Sequence, residues 1–446
     1  MKKLPNDGRT TKTKGFVDNH EHCTKNSFKQ GHCKNGFFFA LRNLPNGIFA
    51  VSLFGLFLGT STTMVYSQFS LFLKNELGLS TADVTLLDGI VESLSFIVRA
   101  FSGPVSDFLR ERKMILYAGC FITLFARSFM SIANSWWGVL LLQSSERIGN
   151  GVQATPRDAL IADLSPSEFR GRAFGFSRSM KTIGSLLGTL IAMRIMLMTH
   201  DDYRVVFGYA VIPVIIAIFF LSKIRNSQEI NKATSSPQQI KKKTEYPFQR
   251  RYLRSLDHTY WKILLLAFIS EMAHFSEHAF PIYANQFIST ALSGSSGSFI
   301  SLGQVLLSFP IGFLADRYGR RRLICTCIML MILANTFFIS APYVKQCPIV
   351  CVYAGAFLWG AQTTAVQGLF LSIICERVDV HLRATAIGIY FFMLGLAYLL
   401  ASYAGGRIWD MFGSHYTFLY SMFFSSSALC VFNFLIPPSV EQHKLR

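Results

Sequence analysis

The chain has 446 residues, of which 51% are hydrophobic and only 15% charged, and its mean hydropathy is +0.35. A soluble chain carries about 25% charged residues, so the composition excludes an ordinary set of soluble domains. The net charge of +18 could suit nucleic-acid binding, but the basic residues lie mainly between apolar runs, and we expect no nucleic-acid partner.

The first 46 residues are polar and basic, with nine Lys/Arg and three Asp/Glu. This stretch is too long to open a secretory signal peptide, so we interpret residues 1–46 as a cytoplasmic tail. It contains "HEHC" at 20–23 and "HC" at 32–33. We interpret these residues as incidental polar sequence rather than a soft-metal site.

Apolar runs of about 20 residues follow, each long enough to cross the hydrocarbon core of a bilayer as a helix. We predict an all-α polytopic membrane protein with twelve transmembrane helices in two six-helix, pseudo-symmetric bundles, 47–222 and 259–437. A polar linker, 223–258, joins the bundles, and a short tail, 438–446, follows them. The predicted spans are 47–72, 82–106, 113–132, 137–160, 173–197, 203–222, 259–283, 293–315, 322–342, 349–374, 384–405 and 414–437.

The distribution of basic residues predicts the orientation. The linker carries nine Lys/Arg and three Asp/Glu, and "RERK", "RGR" and "RYGRRR" all fall in loops on the same side. Positive charge concentrates on the cytoplasmic side of membrane proteins. We therefore expect both termini and the linker to be cytoplasmic.

The two halves of the chain repeat one another. "GPVSDFLRERK" begins at Gly103 after the second span, and "GFLADRYGRRR" begins at Gly312 after the eighth. Asp107 and Asp316 occupy matching places in the two loops. Repetition of six-span halves is typical of secondary transporters, in which two bundles move about a central site.

These loops resemble the cytoplasmic loop motif of the major facilitator superfamily, although the first copy departs from it at Phe108 and Arg110. "RIGNG" at 147–151 resembles a second motif of that superfamily, and "PRDALIAD" followed by "RGRAFGF" is similar to one bacterial subgroup. The resemblance covers about residues 47–437. It implies the superfamily's fold, alternating access, no cofactor, a monomer and a bacterial inner membrane.

The resemblance also implies that the loop motifs act as a latch that stabilises the outward-open state. The alternative is that they are solvated basic loops that only set the topology. The predicted latch residues are Gly103, Asp107, Arg112, Lys113, Arg157, Asp158, Asp163, Gly312, Asp316, Arg317, Gly319, Arg320 and Arg321.

Arg147 lies about ten residues, or about 15 Å, along a helix from Trp137. At this depth an unpaired charge costs at least about 2.5–3.5 kcal/mol, so it must face a partner or a cavity. We expect the partner to be Glu92, at similar depth in span two, with Arg99 on the same face. Our hypothesis is that Glu92 carries a coupling proton; the alternative is a structural ion pair.

Arg178 and Lys181 add positive charge to span five, where the bacterial subgroup usually has an Asp at the place of Lys181. We therefore predict a cationic cavity in the N-terminal half and an anionic or oxygen-rich substrate, such as a siderophore or an organic acid. The alternative interpretation of Arg178 is that its side chain extends to the membrane interface.

Glu271, His274 and His278 stand at i, i+3 and i+7 of span seven, so a continuous helix would place them on one face. Proton relay or substrate contact, structural hydrogen bonding and metal binding all remain open, and three ligands from one helix are poor evidence for a metal. Gln304, Trp359 and Gln362 are further cavity candidates by depth.

Span five contains Gly184 and Gly188 in a GxxxG pattern, which permits close approach of two helices in lipid. Without the proline and additional glycines usual in drug antiporters of the superfamily, the pattern is weak evidence for drug efflux.

The leading functional interpretation is a proton-coupled secondary transporter of a small organic solute. The sequence has no GxxxxGK[ST] loop for nucleotide phosphates, no nucleophile elbow and no HExxH motif, so we expect neither ATP-driven transport nor an enzyme. The alternatives are a multidrug efflux antiporter and a non-transporting membrane sensor or receptor.

Overall fold

The computed structural model describes residues 46–109, 112–164, 170–224, 257–306, 319–344, 346–378 and 383–435. These residues form helices and turns, and none of them forms a β-strand. The all-α prediction is confirmed. Seven helices in the described ranges are long and apolar enough to cross a membrane, and the count of twelve spans stays a prediction.

We divide the helices into an N-half, before the linker, and a C-half, after it. The N-half contains α1 (Asn46–Asn75), α2 (Thr81–Leu109), α3 (Arg112–Met130), α4 (Trp136–Leu164), α5 (Arg170–Thr199), α6 (Tyr203–Tyr209) and α7 (Val211–Ser222). The C-half contains α8 (His258–Glu271), α9 (Ala279–Ala284), α10 (Thr290–Ser293), α11 (296–306), α12 (Arg320–Ser340), a 3₁₀ turn (Ala341–Tyr343), α13 (Pro348–Arg377), α14 (Arg383–Phe412) and α15 (Ser414–Leu435).

Local side chains fix several helix starts. The Ser80 hydroxyl accepts a hydrogen bond from the Asp83 amide at 3.1 Å, which caps the N-terminus of α2, and donates to the Asp83 carboxylate at 2.8 Å. The Asp202 carboxylate accepts from the first amides of α6. Gly319, which precedes α12, has φ of +86°, a conformation that side chains with a Cβ rarely adopt.

Two predicted spans are interrupted. Span six, predicted as 203–222, divides at Ala210 into α6 and α7, because Pro213 has no amide hydrogen to donate to the preceding turn. Span eight, predicted to begin at 293, instead begins with α10, turns at residues 294–295 and continues as α11.

Span seven, predicted as a continuous helix over 259–283, breaks between α8 and α9. The amides of Ala273 and His274 switch to i−3 acceptors, and the Ser276 hydroxyl accepts from the His278 amide at 3.2 Å. Pro281 removes a helical donor just beyond the break. Non-helical backbone at membrane depth persists where it is buried in protein or lines a cavity, so the break points to a site.

The GxxxG pattern of α5, which permits close approach of a second helix, lies against α1. A Cβ on Gly184 would collide with the Leu56 carbonyl oxygen, and one on Gly188 would collide with the Thr60 carbonyl oxygen. Only glycine permits this separation of the two backbones.

The two halves meet where α2 packs along α14. The Asp410 carboxylate, near the end of α14, accepts hydrogen bonds from the Thr81 and Ala82 amides at 3.2 and 2.8 Å. The Ser93 hydroxyl donates to the Gly395 carbonyl at 2.6 Å. We call the end of the molecule at which α2 begins the closed end, because the halves are joined there.

Candidate functional site

A cavity of about 480 Å³ lies between the two halves. α1, α2, α4 and α5 contribute its N-half wall, and the region of the span-seven break contributes to the C-half wall with α11, α13 and α14. Its acidic and basic lining residues are Asp88, Glu92, Arg147, Arg157, Lys181, Glu271, His274 and Glu277. Of the three candidates selected by depth, Gln304 and Trp359 line the cavity, whereas Gln362 is buried and does not.

Arg147 lies against Glu92, the partner expected from the sequence. Its Nη1 is 3.4 Å from Glu92 Oε2, and its guanidinium carbon lies 5.5 Å from the centre of the Tyr66 ring. Both charged side chains line the cavity. The pair therefore combines an ionic contact with access to a bound solute.

A second buried pair lies directly beside the first and was not predicted. Arg127 of α3 donates to the Glu146 carboxylate of α4 and to the Ser61 carbonyl of α1. Arg127 is only 1% exposed, and neither charged residue lines the cavity. This pair ties three helices of the N-half together.

Asp88, which the sequence analysis also missed, connects the two halves. Its carboxylate accepts from the Ser276 hydroxyl at 2.7 Å and the Tyr398 hydroxyl at 3.0 Å, and its Oδ1 lies 3.5 Å from His278 Nε2. The imidazole of His278 packs on the Tyr66 ring of α1, with 4.2 Å between ring centres. Asp88 precedes Glu92 by four residues, so helical spacing could have identified it.

The expectation that Glu271, His274 and His278 share one helix face is wrong. Glu271 and His274 are neighbours, with 3.6 Å between Oε2 and Nδ1, whereas the break turns His278 toward Asp88. His274 also contacts Gln362 at 2.6 Å through Nε2. In the described ranges no group of three His, Cys, Asp or Glu residues is arranged to hold a metal ion.

Glu277, adjacent to His278, also lines the cavity and was missed. The Tyr66 hydroxyl donates to it at 3.5 Å. No Lys or Arg of the described residues forms an ion pair with either Glu271 or Glu277 within 4.0 Å. The prediction of a continuous span seven gave no reason to select Glu277, because the break sets the orientation of its side chain.

The charge of the cavity differs between its two walls. The N-half contributes Arg147, Arg157 and Lys181 together with two carboxylates, so its positive excess agrees with the sequence prediction. The C-half contributes Glu271 and Glu277 beside one histidine. The cavity as a whole is therefore not cationic, because the acidic C-half wall offsets the excess.

The positions of the predicted residues Arg178 and Lys181 differ. Lys181 lines the main cavity, whereas Arg178 is exposed and lines a small adjoining pocket with Arg157 and Asp158. Arg157 lies 3.4 Å from the Asp158 carboxylate. The two residues therefore contact each other, and their role in a latch stays a prediction.

Several other predicted latch residues contact the ends of neighbouring helices. The Lys113 ammonium donates to the Ser222 and Ile224 carbonyls at 3.2 and 2.6 Å, at the end of α7. Arg320 donates to the Ser372 carbonyl at 3.2 Å, and Arg321 lies over the Phe432 ring. Arg112 is partly buried at the start of α3. The two Lys113 hydrogen bonds satisfy carbonyls at the C-terminal end of α7.

The remaining predictions concern residues or side chains outside the described part of the chain. They are most of the tail 1–46, most of the linker 223–258, the tail 438–446, and Arg99, Gly103, Asp107, Asp163, Gly312, Asp316 and Arg317.

Comparisons with known proteins agree with this architecture. The family model of the Major Facilitator Superfamily matches residues 51–292 and 278–446. An uncharacterized MFS-type transporter of Methanocaldococcus jannaschii is 24% identical over 390 residues, which cover 85% of this chain and 92% of that protein. The solved structure of the nucleoside transporter NupG has a TM-score of 0.68 at 13% identity and covers 88% of this chain and 99% of that one.

The solved D-xylose-proton symporter has a TM-score of 0.67 at 14% identity, covering 91% of this chain and 99% of its own. At such identities the solved structures are evidence for the fold alone. The family model, in contrast, spans nearly all of the described helices. The chain belongs to the major facilitator superfamily and is a multi-pass membrane transporter rather than an enzyme.

Proposed function

We propose that the chain is a proton-coupled secondary transporter that carries a small organic solute across a bacterial inner membrane by alternating access. The observation that carries this proposal is the Glu92–Arg147 contact, which places an ion pair on the wall of a cavity shared by both halves. With both termini in the cytoplasm, the closed end of the molecule faces outward.

The proposed coupling uses competition for Arg147. When Glu92 is ionised, it occupies the guanidinium and weakens the attraction of Arg147 for a solute oxygen. When Glu92 takes up a proton, the guanidinium is available for a charge-assisted hydrogen bond with the solute. Binding of the solute and of the proton therefore favour one another, which is the linkage that coupled transport requires.

The positive excess of the N-half wall favours a solute with an anionic or oxygen-rich group, such as an organic acid or a siderophore. Two transporters of this fold have names that indicate small polar solutes, a nucleoside transporter and a D-xylose-proton symporter. Solutes of that kind would match the polar lining of this cavity. A purely apolar drug would leave the charged groups of this cavity without compensating contacts.

A thermal-shift screen of the detergent-purified chain at two pH values would identify solutes for transport assays. The panel contains ferric and iron-free siderophores, organic acids, amino acids and cationic drugs. A ligand at a hundred times its Kd stabilises the folded state by about 2.7 kcal/mol, which is large enough to detect.

With a solute identified, proteoliposomes test the coupling. Arg147→Ala should lower solute uptake by about 100-fold or more, since a charge-assisted contact is lost. Glu92→Gln should retain exchange of solute across the membrane but lose acceleration by a pH gradient. Arg194→Ala, which removes an exposed arginine of α5 outside the cavity, is the matched control. Gradient-driven uptake by Glu92→Gln at the wild-type rate would refute the role of Glu92.

A further inference from the structure

We infer that the transported solute is dipolar, with an anionic group held by the N-half cations and an ammonium or other cationic group held by Glu271 and Glu277. This inference rests on the transport function proposed above and names the substrate class of the same cavity. It follows from four features of the two cavity walls.

The first feature is the pair of carboxylates on the C-half wall. Glu271 accepts a hydrogen bond from Gln367 at 3.3 Å, and Glu277 accepts one from Tyr66 at 3.5 Å. Both donors are neutral. Among the described residues, no Lys or Arg forms an ion pair with either carboxylate. Both side chains line the cavity.

The second feature is the hydrogen bonding of His274, the basic side chain nearest to Glu271. Its Nδ1 donates to the Ser270 carbonyl at 3.1 Å, while its Nε2 accepts from the Gln362 amide nitrogen at 2.6 Å. An imidazole that donates through one nitrogen and accepts through the other is neutral. His274 therefore does not balance the charge of Glu271.

The third feature is the group of aromatic rings on the same wall. Phe275 and Trp359 both line the cavity, with ring centres 5.2 Å apart, and Trp359 lies 5.6 Å from the His274 ring. Both of these rings are packed inside the protein, at 0% and 1% exposure, whereas Tyr66 lines the cavity from the N-half and its hydroxyl contacts Glu277. Carboxylates next to aromatic faces favour a bound ammonium group, because ionic attraction adds to cation–π attraction.

The fourth feature is the opposite sign of the facing wall. Arg147, Arg157 and Lys181 outnumber Asp88 and Glu92 on the N-half side of the cavity, and a carboxylate or another anionic oxygen group is the natural ligand for arginine and lysine. A solute of one sign would complement one wall and leave the other poorly matched. A solute with both signs complements the two walls together, and it connects the halves that must move relative to each other.

Matched sets of small probes test this inference on the detergent-purified full chain. Each set contains an amino acid, the carboxylic acid that lacks its amino group, and the amine that lacks its carboxyl group. The sets include α-amino acids, ω-amino acids of two to six carbons, and trimethylated betaines. Kd is measured from ligand-dependent melting temperature and by calorimetry. We expect at least one zwitterion to bind about tenfold or more tightly than both of its single-charge analogues, the equivalent of about 1.4 kcal/mol.

Substitutions then locate the cationic group. Glu277→Gln and Glu271→Gln should weaken binding of the zwitterion and of the amine but leave binding of the carboxylic acid almost unaffected. Glu76→Gln is the matched control, because Glu76 pairs with Arg204 at 3.1 Å outside the cavity. Size-exclusion profiles establish that each variant is folded, and either glutamate variant is sufficient if the other fails to fold.

Two results would overturn the inference. One is the finding that no zwitterion binds more tightly than the carboxylic acid of its set, including the case in which no zwitterion binds. The other is an unchanged preference for the zwitterion in both glutamine variants, since the cationic group would then lie elsewhere. Binding and proton-driven uptake of organic acids alone would remove the dipolar class while leaving the transport proposal intact.

Discussion

Glu146 and Arg147 are adjacent residues of α4 that contact different surroundings. Successive residues of a helix are separated by about 100°, so Arg147 reaches the cavity while Glu146 turns into the N-half and pairs with Arg127. Four charged residues thus form two contacts within a short length of helix. One contact is exposed to solute, and the other is enclosed by three helices.

We expect the enclosed pair to stabilise the fold without acting in transport. Arg127→Ala should lower the free energy of unfolding by about 3–5 kcal/mol, because it leaves the Glu146 carboxylate buried without its cation. Arg147→Ala should have a smaller effect on stability, because the Glu92–Arg147 pair lines the cavity and is less buried than the Arg127–Glu146 pair. Melting temperatures of the purified variants measure the difference.

The double variant Arg127→Met, Glu146→Leu provides the control for this prediction. Removing both charges should recover most of the lost stability, since a buried ion pair can be replaced by apolar packing at little cost. Equal melting temperatures for Arg127→Ala and Arg147→Ala would contradict the separation of roles.

Mid-span charges were the most predictable part of the site. Because Arg147 cannot remain unpaired in lipid, the search for a partner at equal depth led to Glu92. Asp88 lies one turn earlier on the same face and was accessible to the same reasoning. Arg127 was not predicted, since it lies near the end of α3, where the sequence permits an arginine to reach the interface.

At the scale of whole elements, the break between α8 and α9 determines the C-half site. It directs His278 toward Asp88 and Glu277 toward the cavity, while Glu271 remains on the last turn of α8. Hydropathy averaged over the length of a span predicts a single helix, because the apolar residues on both sides of the break outweigh its polar side chains. Pro281 was the available indication of an interruption, although it does not specify which side chains the break presents.

The α1–α5 contact gives a prediction with a control on α1 itself. Gly188→Ala should lower the melting temperature, because its Cβ would lie too close to the Thr60 carbonyl and the helices would have to separate. Overpacking of this kind costs about 1–3 kcal/mol. Gly55→Ala should be neutral or stabilising, since no atom lies within 4 Å of its added Cβ and alanine favours helix.

A comparison of the two glycine variants by thermal denaturation in detergent separates packing from helix propensity. Both substitutions add one methyl group to a helix interior. If Gly188→Ala were as stable as Gly55→Ala, the close contact of α1 with α5 would not contribute to stability.

For the whole molecule, the sequence predicted the fold class but not which end is closed. Apolar runs, basic loops and the repeated motif specify a helical transporter of two halves. The closed end depends on contacts between the halves, such as that of Asp410 with the Thr81 and Ala82 amides, which must break for this end to open. The states of such a protein differ by only a few kcal/mol, which is too little to infer from hydropathy.

Asp410 offers a way to change that balance. Its carboxylate accepts from two amides at the N-terminus of α2, where the helix dipole favours negative charge by about 0.3–1 kcal/mol, and by up to about 2 kcal/mol when partly buried. Asp410→Ala should therefore favour opening of the closed end. One to two kcal/mol corresponds to a change of about 5–30-fold in the population ratio.

Hydrogen exchange followed by mass spectrometry measures this change without labels. Peptides that contain the start of α2 and the end of α14 should exchange faster in Asp410→Ala, while peptides from α12 should not change. Glu76→Ala is the control, because the Glu76–Arg204 pair lies within the N-half and does not cross to α14. Unchanged exchange in Asp410→Ala, or an equal increase in Glu76→Ala, would mean that this cap does not hold the two halves together. The expected result would show that one carboxylate, between the end of one helix and the start of another, biases a rearrangement of the whole transporter.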